Sequence, residues 1–394
     1  MSAARARAAA HHEALTGARW ALLFGNFAIG CGVMVVAGAL NDITRGLQIS
    51  VALAGQLITI SAAVMCVGAP LLAGWVAGFD RRRLLAISLL WFGAGHLICA
   101  LMSSYAAIWP VRAAAVLAAA VFTPQAAAAV GAVAPPEERG RALTFIFLGW
   151  SVASVLGLPL AAWLGDTFGW RVAFATVGLL ALAAAAWVFV ALPDGIRPPA
   201  LSLAAWKEVF THPVLMAMVA VTALMGAGQF TLFSYFAPYM RDQFGASANG
   251  VSLIFAWFGV FGVLGNVLLG RHIDRLGAGR VATAAAAMIG LSLLLWPLAG
   301  TLLVVAIVLV PWGFACFGGN SAQQARLSQA APRFAPALMA LNSSAMYLGQ
   351  VAGAGSGGWI VATGGYGPLS WVGLAWIVAC LALSAWIERR TRAA

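Results

Sequence analysis

The chain has 394 residues, 63% of them hydrophobic and only 8% charged, with a mean hydropathy of +0.94. A soluble domain carries about a quarter charged residues, so a soluble fold, a disordered chain and a basic nucleic-acid-binding domain are excluded, and 5 Cys are too few for a disulfide scaffold. The net charge of +11 arises from 22 Lys and Arg against 11 Asp and Glu, and the basic residues stand in short gaps between apolar runs, the pattern that orients helices in a bilayer. The composition predicts a polytopic membrane protein.

In chain order, residues 1–19 form an Ala- and Arg-rich tail. The apolar run after it is too long for the core of a cleavable signal peptide, so it reads as a first spanning helix. A crossing needs about 20 apolar residues. By that measure spans are expected at 20–40, 51–77, 84–103, 106–133, 141–165 and 170–192, and again at 213–240, 249–271, 281–299, 301–327, 335–362 and 368–388. The fold class is therefore an all-α membrane protein of twelve helices: a bundle over 20–192, a polar linker over 193–212, a second bundle over 213–388 and a short tail over 389–394. With the N-terminus inside, 18 of the 22 basic residues lie on the cytoplasmic side and Arg45, Arg171 and Arg241 opposite, which predicts both termini in the cytoplasm. The remaining basic residue, Arg112, lies within the fourth span. Cys31, Cys66, Cys99, Cys316 and Cys380 fall inside apolar runs and read as packing residues.

Two sets of six spans suggest a duplication. A shift of 197 residues pairs Arg83 with Arg280, and one of 198 pairs Gly157 with Gly355 and Gly169 with Gly367. After the eighth span, Gly270, Asp274, Arg275, Gly277 and Arg280 follow the pattern G-x-x-x-D-R-x-G-R-R with one extra residue; after the second, Ala77 and Asp80 depart from it ahead of Arg81, Arg82 and Arg83. These loops resemble the repeated signature of the major facilitator superfamily. Ala54-Gly55-Gln56-Leu57, Gly68-Ala69-Pro70-Leu71-Leu72, Trp170-Arg171 and Ala340-Leu341-Asn342-Ser343-Ser344-Ala345 are similar to segments of its bacterial drug:proton antiporter family, in the branch of arabinose-efflux-like permeases.

The resemblance implies alternating access by two bundles around a cavity lined by the first, fourth, seventh and tenth spans. Candidate cavity residues are then Asn26, Arg112, Gln125, Gln229, Tyr235, Trp312, Asn320 and Gln323, with Asn342, Tyr347 and Gln350 from the eleventh. Short loops rich in Asp and Arg can lock and release helices through charge-assisted bonds, which marks Asp80, Arg81, Gly270, Asp274, Arg275, Gly277 and Arg280 as a conformational latch. The bland reading of Arg81, Arg82 and Arg83 is orientation alone. Gly149, Gly157, Pro159 and Gly165 in the fifth span, and Gly349, Gly353, Gly355, Gly357 and Gly358 in the eleventh, are expected to form close sliding contacts.

Arg112 is costly at its depth and so a functional candidate; the resemblance matches it to a basic residue implicated in proton coupling. All eleven acidic residues, however, lie in loops or at span ends, and Val33 stands where relatives carry a Glu. Asp42, His96 and Arg112 are the groups left for proton coupling. An Arg without a nearby acid would suit an anion. Two functions follow: efflux of a small drug-like or polar metabolite by a secondary active transporter, or facilitated movement or import of a small organic anion without proton coupling. The partners expected are the small-molecule substrate, the lipid bilayer and protons as coupling ion, with no nucleic acid, no metal and no cofactor, and the chain is expected to work as a monomer in a bacterial inner membrane. No His-x-x-x-His and no Asp pair within a span points to an enzyme, and no charged ring or filter loop points to a channel.

Overall fold

The structure, a computed structural model, describes residues 2–76, 78–134, 139–197 and 203–392, with the side chains of 2–15, 73–74, 139–141, 143–144, 203–205, 274, 335–336 and 392 left out. Among the described residues every regular element is helical. The first half contains α1 (Ser2–Gly38), α2 (Leu40–Leu47), α3 (Val51–Trp75), α4 (Arg81–Leu101), α5 (Tyr105–Val133), α6 (Arg139–Val152), a π-turn (Ala153–Gly157), α7 (Leu158–Phe168) and α8 (Trp170–Ala191). A linker helix α9 (Leu203–Thr211) leads to α10 (Pro213–Phe233), α11 (Phe236–Phe244), α12 (Ala248–Leu276), α13 (Ala278–Leu295), α14 (Leu302–Ala330), α15 (Ala335–Gly364) and α16 (Leu369–Arg392). Spans 1 to 6 are α1, α3, α4, α5, α6 with α7, and α8; spans 7 to 12 are α10 with α11, then α12 to α16. Eleven of these crossings are long and apolar enough to traverse a bilayer, and the 30-residue α15 takes the remaining place in the order, so the twelve-helix expectation fits.

Helix reaches further than hydropathy marks. α1 begins at Ser2, α16 runs to Arg392, and α9 occupies part of the linker. Ala and Arg are strong helix formers, so the helix persists where the apolar pattern stops. Sharp starts come from side-chain caps: Asp80 accepts the Arg83 N–H, Ser104 the Ala107 N–H, Ser247 the Gly250 N–H and Thr301 the Val304 N–H. Ser104 and Thr301, which open spans 4 and 10, are 197 residues apart.

The duplication is present in the packing. In the first half the neighbouring pairs are spans 1 and 5, 1 and 6, 2 and 4, 3 and 4, and 3 and 6; in the second half the same pairs recur with six added to each number. The turn glycine Gly169, at φ +90°, finds its counterpart in Gly365, at φ +69°; the pairing of Gly169 with Gly367 expected from the sequence is off by two residues. The halves meet through span 2 against span 11 and span 5 against span 8. Spans 1 and 4 therefore face spans 7 and 10 across a passage bounded by those two contacts.

Candidate functional site

Two faces can be distinguished by what they carry: the tail face holds both chain ends and the linker, and the loop face holds α2, α11 and the turns at Gly169 and Gly365. On the loop face the halves are fastened together. Asp166, at the end of span 5, takes hydrogen bonds at one carboxylate oxygen from Arg45 at 2.8 Å and from Arg241 of α11 at 2.6 Å. Arg45 also pairs with Asp42, one helical turn away on α2. Ser252 of span 8 donates to the Pro159 carbonyl of span 5 at 3.1 Å. Burial raises the Asp42 carboxyl above its ordinary value, partly offset by its hydrogen bond to Arg45, and the acceptors Asp42 and Asp166 push the Arg45 guanidinium up.

Close backbone approach completes the seal. A Cβ on Gly259 of span 8 would stand 2.6 Å from the Val155 Cα in the π-turn of span 5, and one on Gly55 of span 2 would stand 2.4 Å from the Tyr235 hydroxyl oxygen. That hydroxyl donates to the Ala354 carbonyl of span 11 at 2.8 Å. Three polypeptide stretches from both halves thus converge at Tyr235.

Arg112 is fully buried. It does not line the passage wall, the place the sequence analysis expects for it; it sits inside the first half, held by four spans. Its Nε donates to Ser61 Oγ of span 2 at 3.1 Å, one terminal nitrogen lies 2.6 Å from His96 Nε2 of span 3, and the other donates to the Gly32 carbonyl of span 1 at 2.7 Å and, more weakly, to the Val33 carbonyl at 3.4 Å. The Phe174 ring of span 6 lies 5.7 Å away under the guanidinium. Because arginine has no acceptor, His96 Nε2 must be the unprotonated nitrogen, and Nδ1–H then donates to the Phe92 carbonyl at 2.8 Å. The imidazole is neutral with one fixed tautomer. A buried cation held only by neutral acceptors ties five spans at one point.

The other expected cavity residues divide. Asn26 is buried, donating to the Ile146 carbonyl at 3.1 Å and accepting from Thr123 at 3.0 Å. Trp312 is buried in the second half and donates to Gln229 at 3.2 Å, within an aromatic cluster with Phe233, Phe236 and Trp296. Tyr235 belongs to the seal just described. Asn320 is half-buried and accepts from Asn342, which in turn accepts from Thr222 at 2.6 Å. Gln323 donates to the Met218 carbonyl, leaving its carbonyl oxygen buried without a donor. Gln125 is almost buried, as is Gln350, while Tyr347 is half-buried.

The expected latch residues on the tail face lie within their own halves. Asp80 caps α4 and accepts the Gly195 N–H at 2.6 Å; Arg81 donates to the Val76 and Phe79 carbonyls, and Arg82 pairs with Asp194 at 3.0 Å. This loop holds the start of the linker. Arg275 and Arg280 are exposed, and Gly277, at φ +87°, makes the turn between spans 8 and 9. Gly270 has open space where a Cβ would be. Ala77 and the Asp274 side chain fall outside the described residues.

Sliding contacts were expected of the glycine-rich spans 5 and 11; most of their glycines instead pack tightly inside one half. A Cβ on Gly149 would meet the Leu23 carbonyl at 2.3 Å, and on Gly349, Gly353 and Gly357 would meet backbone of span 7 at 2.2–2.5 Å. Only Gly355 and Gly358 of this series look toward span 2. Repeats at every fourth residue make one helix face, so that face is committed to span 7.

Arg45, Asp166 and Arg241 were not among the expected site residues. Their signal was available: Arg45 and Arg241 are two of the three basic residues that break the charge asymmetry.

A chain of two six-helix bundles with identical internal neighbours, meeting at two symmetric helix pairs around a passage, has the build of a membrane transporter with parallel repeats. The Major Facilitator Superfamily model matches residues 22–334 and 219–393, and the chain belongs to that superfamily. It is 29% identical over 364 residues to the inner membrane transport protein YdhP of Escherichia coli K12, covering 92% of this chain and 93% of that one. It is 27% identical over 357 residues to the MFS-type transporter YbcL of Bacillus subtilis 168, covering 88% and 90%. Among solved structures it resembles a D-xylose–proton symporter (TM-score 0.75, 18% identity, 93% and 97% covered) and a peptide transporter crystallised with sulfate (TM-score 0.75, 16% identity, 96% and 95% covered), a likeness of fold.

Proposed function

We propose that this multi-pass transporter exports a small polar or drug-like molecule across a bacterial inner membrane by alternating access, with both chain ends in the cytoplasm and the present state sealed on the external side. The observation that carries the reading is the Asp166 carboxylate shared between Arg45 of its own half and Arg241 of the other. Such a contact can exist in only one of two tilts of the halves, because it separates when the loop face opens. The charge asymmetry of 18 against 3 supports the orientation, and the passage formed within one chain supports action as a monomer. Uptake of labelled substrate into everted membrane vesicles, against no uptake in vesicles from cells lacking the protein, tests direction; right-side-out accumulation would overturn export.

Facilitation without a proton cycle is the second reading. It is favoured by the absence of any acidic residue from the middle of the spans, since proton carriers in membranes are typically buried carboxylates or histidines, and His96, the buried histidine among the described residues, is locked neutral by Arg112. Protonophore addition during vesicle uptake separates the two: export that survives a collapsed gradient favours the facilitator.

A further inference from the structure

We infer that the passage takes its substrate in an uncharged form, held by amide and hydroxyl groups placed at matching heights in the two halves. The inference rests on the transporter reading and specifies the substrate class.

Among the described residues, the charged side chains buried within the spans or half-buried where the halves meet are already committed. Arg112 is spent on spans 1, 2 and 3, Asp166 and Arg241 on each other, and Arg326 on Ser384 of span 12 at 2.9 Å. What remains on the facing spans is polar and neutral. Two positions correspond across the duplication: Asn26 with Thr222 at a shift of 196, and Thr123 with Asn320 at 197. The correspondence extends to bonding. Thr123 of span 4 is bonded to Asn26 of span 1, and Asn320 of span 10 is joined to Thr222 of span 7 through Asn342.

Thr123 and Asn320 are the half-buried members of these sets. Among the described residues the Asn320 amide nitrogen has no acceptor in the protein, and one helical turn on, the Gln323 carbonyl oxygen is buried with no donor. A buried acceptor left unpaired costs free energy, and a ligand offering a hydroxyl or amide would satisfy it. A charged ligand would instead give up hydration with no countercharge, a penalty of several kcal/mol. The passage therefore discriminates by charge before shape.

The test uses the full chain in lipid nanodiscs and reads thermal stability against matched small molecules: alcohols and amides, their quaternary-ammonium counterparts and their sulfonate counterparts. The uncharged members are expected to raise the melting temperature, with half-saturation at concentrations about a hundredfold below those of their charged partners. Asn320→Asp should transfer the response to the quaternary-ammonium set, and Asn320→Leu should abolish it while the unliganded protein melts within a few degrees of the parent. Stabilisation by either charged set, no response to the uncharged set, or an Asn320→Asp variant that still prefers uncharged molecules would overturn the inference. Uncharged compounds that bind but are not carried by proteoliposomes would refute the transport reading and leave this one standing.

Discussion

Arg241 of α11 donates to the same Asp166 oxygen that already accepts from Arg45, so a single carboxylate atom joins the two halves. Both side chains are about a quarter exposed, at 26% and 28%, and a charge-assisted hydrogen bond of this kind contributes about 1–2 kcal/mol after allowance for solvent screening. Asp166→Asn or Arg241→Ala is expected to shift the population toward a state open on the loop face by about five- to thirtyfold. Spin labels placed on α2 and α11 would report the shift as a longer distance population. The exchange Asp166→Arg with Arg241→Asp should recover part of the seal; unaltered distances in both single variants would show that the contact does not hold the halves.

Asp42 should behave in the opposite way. Its carboxyl is buried to 6% exposure, and burial raises its pKa above the ordinary Asp value near 4. A raised carboxyl contributes stability below its ordinary pKa and loses that contribution as pH rises through the folded value. At neutral pH Asp42→Asn is therefore expected to leave the melting temperature equal or higher than the parent, with the difference shrinking as pH falls toward about 4. Melting curves across pH 4 to about 8 check it, and a variant that melts markedly lower at neutral pH would contradict the burial account.

Removal of the Arg112 side chain leaves the Gly32 carbonyl and His96 Nε2 facing one another without a donor between them. Arg112→Ala should cost about 3–5 kcal/mol, the range for breaking a buried charged network. Arg112→Lys should recover little, because an ammonium cannot reach Ser61, His96 and Gly32 with the planar fork. Ser61→Ala, which removes one neutral partner, should cost about 1 kcal/mol. Fluorescence-monitored unfolding of the purified protein gives all three values, and an Arg112→Ala variant as stable as the parent would remove the network's structural role.

Gly259 and Gly355 make a paired test of how close the halves come. Gly259→Val would press on the Val155 backbone at 2.6 Å, whereas Gly355→Ala meets only the Thr59 methyl at 3.6 Å, an ordinary contact. An overpacked contact costs about 1–3 kcal/mol, levied only in the sealed state, so Gly259→Val should slow transport by about tenfold or more with the protein still folded. Gly355→Ala should transport normally. Counterflow in proteoliposomes distinguishes them.

Much of the architecture was legible because a bilayer demands long apolar runs and charges at their ends; the twelve runs, the six-and-six division and the loop repeats could be read from that demand alone. Helix ends were less legible, since Ala-rich polar segments such as the start of α1 remain helical without being apolar. The fate of Arg112 was hidden for a different reason. Depth along a helix shows in the sequence, but rotation about the axis of a nearly all-apolar helix such as α5 does not, so whether a lone polar group faces a passage or a bundle interior depends on its neighbours. Asp166 was hidden too, because a span-end carboxylate looks like any other until an Arg from 75 residues away is found beside it.

The π-turn at Ala153–Gly157 lies where Val155 meets Gly259 and just before Pro159 and Asp166. A π-turn holds one residue more than the α-helix it interrupts, and one residue corresponds to about 100° of rotation. The loop-face part of span 5 is thereby clocked relative to its tail-face part, and with this angular offset the Pro159 carbonyl meets Ser252 and Asp166 meets Arg241. Were the turn to relax to regular α-helix with all its residues retained, both docking points would swing away at once without any hinge bending.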